Sequence, residues 1–474
     1  MYRAKRMHPA VILFQFFKSL REMIIPIVVA FFAFRDEHFM YFIGAITLVT
    51  VLLVTFSTIT WLRFTYTVTD EELRIESGIF IKKKRYISKG RIQSIDLTAN
   101  VLHRLLGLAK VQIETAGSGT SAEASLTAVK VAEAEQLRNL LKVTKVATSE
   151  VGETKTVQAP FYQITNKRLF IAGTTSGSIG VLLAFIAFAL SELEQFIPDN
   201  YFDHTIQWII GLSVVLIVII TIGFLFVLWL LGIVGTMVKY GHFRIERRDE
   251  ELFITRGLLE KKQITIPLKR IQAIGMKESM IRQPFGYVSL FAEVAGGSLD
   301  KGEEYSTLLF PIMKKDEVED FLRTLLPSYS YPIEPTWRKL PIKAKKFYML
   351  RGVIPFILIA IPIAIFIPTF LWTVIVFLIL GLYLGYLRYS DGGFLIQEKR
   401  LMIRCRTFSR ITVVLFHKRI QAYEKKQHIA HRKQNLANFK LSIIGKYGSG
   451  KHYQLKEVKD VQADSLADWF SYRV

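Results

Sequence analysis

Apolar runs and alternating stretches follow one another three times along this chain. A bilayer core takes about 20 mostly apolar residues per helix, and 206–238 meets that without a single charge. Residues 39–62 form a second clean run, with Trp61 at a headgroup position near its end. Residues 349–368 and 370–388 read as two helices parted only by Pro368 and Thr369. A fifth run, 177–197, carries Glu192 and Glu194 near its end. The first is the weakest: only 23–34 is uncharged, so it extends back to residue 11 with Lys18 and Arg21 snorkelling to water. The pattern predicts six spans in three hairpins.

After each hairpin the period changes. Leu73 and Ile75, Ile79 and Ile81, and later Val111 and Ile113 alternate with polar residues, as half-buried strands do. Each such region closes with apolar positions three and four apart, over 129–142, 314–326 and 456–470, predicting one helix whose apolar face covers the strands. Tight turns are expected at Asp70 and its equivalents.

These regions are copies of one another. Residues 70–117 align without a gap on 249–296 at an offset of 179. Identities include Gly78/Gly257, Arg91-Ile92-Gln93/Arg270-Ile271-Gln272, Gly107/Gly286, Glu114/Glu293 and Gly117/Gly296. A third, more worn copy lies at an offset of 328 from the first, with Arg419-Ile420-Gln421 and Gly445 in place but Asn435 where Gly107 stands. The unit is a hairpin and then a module. Hairpins are expected over 1–64, 160–240 and 340–389, and modules over 65–150, 241–330 and 390–474.

Strands ending in one helix, the recurrent Arg-Ile-Gln before a strand, and Arg6-Met7-His8-Pro9 ahead of the first span together resemble the YdbS-like bacterial PH domain membrane proteins, in a three-module form. The resemblance implies an α+β membrane protein whose modules are partly open PH-like β-barrels, each capped by a C-terminal helix. It further implies a small companion membrane protein bearing one such module, and a role in envelope defence, including protection against antimicrobial peptides. Asn435 departs from the pattern and puts the loop geometry of the third copy in doubt.

Charge gives the spans a direction. Half the residues (51%) are hydrophobic and mean hydropathy is +0.30, yet 62 Lys and Arg face 40 Asp and Glu, for a net charge of +22. The proposed outer turns, 35–38, 191–205 and near 368, hold Arg35 against Asp36, Glu37, Glu192, Glu194, Asp199 and Asp203. Nearly all other bases, including Arg3, Lys5 and Arg6, fall on the opposite side, which the positive-inside rule makes cytoplasmic. The expectation is a multi-pass cell-membrane protein with both termini and all three modules in the cytoplasm. A cleavable signal peptide is not expected, because Lys18, Arg21 and Glu22 interrupt the first run. Cys405 is alone, so no internal disulfide and no cysteine-built metal site can form.

Candidate contacts are the basic runs: Lys82, Lys83, Lys84 and Arg85; Lys261 and Lys262; Lys418 and Arg419; Arg432 and Lys433. Beside an inner leaflet each base gains about 1 kcal/mol from anionic lipid, so lipid headgroups or a partner are possible ligands. An equal case exists for bases that only set topology. In the repeated tripeptides, Arg91 and Gln93, Arg270 and Gln272, and Arg419 and Gln421 read as structural, fixing a loop-to-strand junction. Residues 445–452 nearly match a phosphate-binding loop, but His452 stands where Ser or Thr is required and the flanks read strand–turn–strand. His428 and His431, with His417 and His452 near in sequence, have no acid at ligand spacing and read as solvated loop. The spans show no buried charge pair or proton-relay carboxylate. No catalytic constellation, cofactor site or nucleic-acid arm stands out. The chain reads as a non-enzymatic membrane scaffold acting with a companion. The alternative, a component exporting or transporting a peptide or lipid, has only Ser213, Thr221 and Thr373 as polar span residues to support it.

Overall fold

The computed structural model describes residues 4–33, 39–115, 124–141, 159–175, 214–296, 306–330, 336–366, 371–445 and 450–471. It forms two compact units, Met1–Gln158 with Leu259–Pro267, and Ala159–Leu258 with Leu268–Val474.

The first unit begins with α1 (Ala10–Ala33) and α2 (Phe39–Arg63), which meet edge to face at Phe31 and Phe42, 5.6 Å apart, and flank an apolar groove of about 370 Å³ lined by Leu20, Met23, Ile27, Ile46 and Leu53. An antiparallel sheet comes next, β1 (Thr65–Val68), β2 (Glu72–Ser77) and β3 (Lys83–Ser88). A second set, β4 (Ile92–Ala99), β5 (Leu108–Thr115) and β6 (Ala124–Lys130), includes the short helix α3 (Val101–Leu105) and ends in α4 (Val131–Leu141). Tyr66, Leu73, Ile75, Ile87, Val111, Ile113, Leu126 and Leu137 share one core. The alternation thus points inward as expected, with one correction. Ile81 is 72% exposed, because Gly78 turns the chain at φ 109° and residues 78–82 form a hairpin tip between strands.

The second unit opens with β7 (Phe161–Gln163), α5 (Asn166–Thr174), the apolar α6 (Val214–Tyr240), β8 (Arg244–Arg248) and β9 (Glu251–Arg256). The next strand, β10 (Lys261–Pro267), is second-repeat sequence but lies in the first unit, antiparallel to β4. The second unit continues with β11 (Ile271–Glu278), β12 (Tyr287–Val294), β13 (Thr307–Lys314) and α7 (Val318–Leu325). The third repeat starts at β14 (Arg338–Lys339), α8 (Lys345–Phe366) and α9 (Leu371–Asp391). Its module comprises β15 (Gly393–Gln397), β16 (Arg400–Arg406), β17 (Arg410–Phe416), β18 (Ile420–Lys426), the one-turn helix α10 (Ile429–Arg432), β19 (Leu436–Ile444), β20 (Gly450–Lys459) and α11 (Asp460–Ser471). Here too the third strand reaches its neighbour: β17 pairs with β16 on one side and with β11 on the other.

Among the described residues four helices are long and apolar enough to cross a membrane: Met40–Arg63, Ile222–Tyr240, Ile342–Ile365 and Val374–Asp391. The run at 177–197 and the start of 206–238 lie outside the described residues. The closing helix expected at 456 begins at Asp460 instead, because Val458 and Lys459 still pair with Ala437 and Leu436. A short leader precedes each hairpin and lies against the module's first strand: Lys5 bridges Tyr66, Tyr162 pairs with Ile245, and Arg338 pairs with Phe394. Sequence periodicity missed these leaders because two or three residues carry no period.

Asn435 does not alter the third copy's turn. Gly107 and Gly286 sit at φ 67° and Asn435 at 55°, the left-handed region that Asn tolerates best after Gly. Gly286→Val should therefore destabilise the purified full chain by about 1–2 kcal/mol, whereas Asn435→Gly should leave its unfolding midpoint unchanged or higher. Denaturant titration of both variants checks this, and an equal loss at the two positions would contradict it.

Candidate partner and membrane surface

The repeated tripeptide makes the same local structure three times. Lys89–Arg91, Leu268–Arg270 and His417–Arg419 are 3-10 turns, each running straight into a strand. One residue later the ladder shifts register, between Ile92 and Ser94, Ile271 and Ala273, and Ile420 and Ala422. Gln93, Gln272 and Gln421 thus sit at bulges. Gln272 Nε2 donates to the Arg270 carbonyl at 3.0 Å, and Arg270 Nε to that of Ala295 at 2.8 Å. Turn plus bulge re-aims each fourth strand where it leaves its own module's third.

That re-aiming frees the third strands to pair elsewhere, with one register for both joints. On β4 and β10, Lys261 faces Ala99 and Gln263 faces Leu97. On β11 and β17, Arg410 faces Glu278 and Thr412 faces Met276. By the repeat offsets both sets align residue for residue with positions 82 opposite 99 and 84 opposite 97. In the first joint the Thr265 amide also donates to Asp96 Oδ1 at 3.0 Å. In the second Arg410 forks onto the Glu278 carboxylate, with Nη1 on Asp391 at 3.2 Å.

The basic run Lys82–Arg85 is the equivalent strand of the first repeat, and no strand among the described residues covers its outer edge. Lys82 and Lys84 lie 2.7 and 3.5 Å from Glu76, and the hydrogen bond from Lys82 holds that carboxyl below its ordinary range. Lys83 is exposed, and Arg74 lies over the exposed Tyr86 ring. At the tip Phe80 is 94% exposed; its equivalents Leu259 and Phe408 are exposed too. In the third repeat the tip meets the polar end of an apolar helix, Arg388 of α9 donating to the Thr407 carbonyl at 2.8 Å and lying over Phe408. In the second, the amides of Gly257 and Leu258 donate to Gly241 and Val238 at the end of α6. An apolar tip beside bases at a span's end is suited to a headgroup layer.

Other predicted residues separate. Lys418 and Arg419 border a cleft of about 380 Å³ with Arg247, Lys269, Glu250 and Tyr329. Arg419 Nη2 donates to the Lys269 carbonyl at 2.7 Å. Arg432 and Lys433 stand exposed at α10, away from any such gathering. His428 caps α10, its ring accepting from Ala430 N. His431, expected in solvent, is instead buried, 3.5 Å from Glu457 and edge-on to Phe347. Flanks of the 445–452 loop pair as a hairpin, Ile444 with Gly450, in keeping with the turn reading.

Three copies of a strand–turn–bulge module after apolar helices find a match in known families. The model of the bacterial PH domain matches residues 20–144, 185–328 and 353–474. The chain is also 34% identical over 495 aligned residues to the UPF0699 transmembrane protein YdbT of Bacillus subtilis strain 168, covering 100% of this chain and 99% of the relative. The chain belongs to the bacterial PH domain family. It is a transmembrane protein with repeated bacterial PH domains, and neither match is to an enzyme family.

Within these PH domains the structure adds buried polar contacts that no motif marked, because their partners are far apart in sequence. Asp391 receives Arg406 and Arg410, and Arg406 also reaches Gln283. Arg282 donates to Thr175 Oγ1 at 2.8 Å, Ser289 Oγ at 2.6 Å and the Ala172 carbonyl at 3.1 Å; burial lowers its affinity for its proton. Tyr453 donates to the buried Glu293 at 2.8 Å, and burial, then that carboxylate, pushes the phenol well above its ordinary range. A correction concerns the third hairpin: Arg351, inside the expected span, reaches the fully buried Glu457 of the module. That contact binds helix to PH domain, since a buried charge needs its counter-charge.

Glu278→Ala should cost about 1.5–3 kcal/mol, since Arg410 loses its fork and keeps only Asp391; denaturant unfolding of the full chain reads the loss, and a cost under about 0.5 kcal/mol would contradict the buried pairing. Burial raises the Cys405 thiol to about 11. With the thiol protonated below that pH, a maleimide at about pH 8 should leave it unmodified in the folded chain and label it on unfolding.

Proposed function

We propose that this chain is a non-enzymatic scaffold of the cell membrane. Six spans in three hairpins would hold three partly open barrels, each capped by its closing helix, at the cytoplasmic face, with both termini on that side. The carrying observation is the repeated strand joint, in which a module's third strand completes a neighbour's sheet in one fixed register.

Two further features support the reading. Helices α8 and α9 approach so closely that a Cβ on Gly352 would lie 2.3 Å from the Gly381 carbonyl oxygen, and one on Gly385 2.7 Å from that of Tyr348. A hairpin packed backbone to backbone favours anchoring over an aqueous path. The bases at 82–85 and around Arg419 suit anionic headgroups at the inner leaflet or an acidic partner surface. We assign the scaffold to envelope integrity and antimicrobial-peptide resistance, exercised with a companion membrane protein that carries a PH-like module.

Cells lacking this gene and its companion should be measurably more sensitive to membrane-active peptides than the parent, in growth-inhibition assays. Unchanged sensitivity would remove the physiological part of the proposal. A Lys83→Cys chain should resist an impermeant maleimide applied to intact cells and react after permeabilisation; labelling from outside would remove the topology.

A further inference from the structure

The third strands of repeats two and three each pair with the fourth strand of another module, whereas among the described residues no strand lies against the outer edge of β3, the third strand of repeat one. From this geometry we propose that the outer edge of β3 docks the fourth strand of a PH-like module belonging to a different chain. The proposal rests on the scaffold reading and gives its partner a surface and a register.

The joint is a general one. Its two examples share a register although their side chains differ, Lys261 against Ala99 in one and Arg410 against Glu278 in the other. Main-chain bonds therefore carry the pairing and side chains tune it, as when an added strand extends an exposed edge. β3 is one residue shorter than β10 and β17, follows the same hairpin, and has Lys82 just before it at the position of Lys261. Transferred to β3, the register sets Lys82, Lys83 and Lys84 against the partner residues aligned with Ala99, Thr98 and Leu97.

Charge then decides which module fits. The complementary open edge within this chain is β18, the outer strand of its sheet among the described residues. A second copy docked in the shared register would place Glu424 opposite Arg85, but Lys425 opposite Lys84 and Lys426 opposite Lys83. Like charges directly opposite destabilise a strand pair, and Lys425 is already held by Asp460 and Asp464, at 2.6 Å each. The occupant is therefore a module of another chain whose fourth strand ends in acidic or uncharged residues, as β4 does at Ala99 and β11 at Glu278.

A photocrosslinking phenylalanine analogue placed at Lys83 in the full chain, in the membranes of the cells that make it, tests this. The expected product joins residue 83 to the fourth strand of a PH-like module of a different protein, mapped by mass spectrometry. Adding Tyr86→Pro, which removes the amide equivalent to that of Thr265, should lower the yield about tenfold or more, a change of about 1.4 kcal/mol or more. A folding defect would be seen as a lost unfolding transition, and Lys82→Glu, which sets a carboxylate against an acidic or uncharged partner residue and removes no strand amide, should then still reduce the yield. Crosslinks mapped to 420–426 of a second copy, to lipid alone or to nothing would overturn the proposal. If crosslinking fails while Lys83→Cys stays protected from outside label, docking alone is wrong; if that cysteine labels from outside, the scaffold's topology is wrong as well.

Discussion

Antiparallel pairing between a repeat's third strand and the preceding repeat's fourth is the interaction on which the architecture depends. Backbone amides and carbonyls are the same at every position, so the pairing survives side-chain change that would ruin a packed helical interface. It also removes sheet edges that would otherwise invite unwanted pairing. The register is set locally: a 3-10 turn stops the third strand and a bulge at Gln93, Gln272 or Gln421 launches the fourth. That explains why the tripeptide recurs while its surroundings drift.

The drift itself is instructive. Where Gly78 and Gly257 take φ values above 100°, the third copy has Arg406, which spends its side chain on Asp391 at the end of α9. In the second copy the same hairpin is tied to the end of α6 through main-chain bonds from Gly257 and Leu258. Two different chemistries thus fasten the equivalent hairpin to the end of an apolar helix. The constraint being kept is the attachment of module to span, while the left-handed turn at Gly107, Gly286 and Asn435 confines that position to residues that tolerate its backbone angle.

Much of this was legible in the residues, for physical reasons that also mark where reading stops. Apolar runs and period-two stretches report burial directly, so α2, α6, α8 and α9 and the strands around Leu73 and Val111 are expected from pattern alone. The gapless offset of 179 fixed two copies, and a left-handed Asn435 removes the objection to the third. Ile81 misled because a hairpin tip can carry apolar residues in the right alternation while facing outward. The partners of Glu457, Glu293 and Arg282 were invisible: each is a lone polar residue whose counterpart lies on another element, and no spacing rule links them. His431 was misplaced for the same reason, its neighbour Glu457 lying on the far side of the module's last hairpin.

Lysine at a strand edge ordinarily blocks association, and Lys82–Arg85 would serve that purpose against a second copy of this basic protein. Yet the same position on β10 is Lys261, and there the strand is paired, against Ala99. On β17 it is Arg410, paired and neutralised by Glu278. A base at this position is therefore compatible with the joint whenever the opposing residue is small or acidic, and hostile to it when the opposing residue is another base. Charge at the edge acts as a filter on partners, and the main-chain ladder supplies the adhesion that the filter admits.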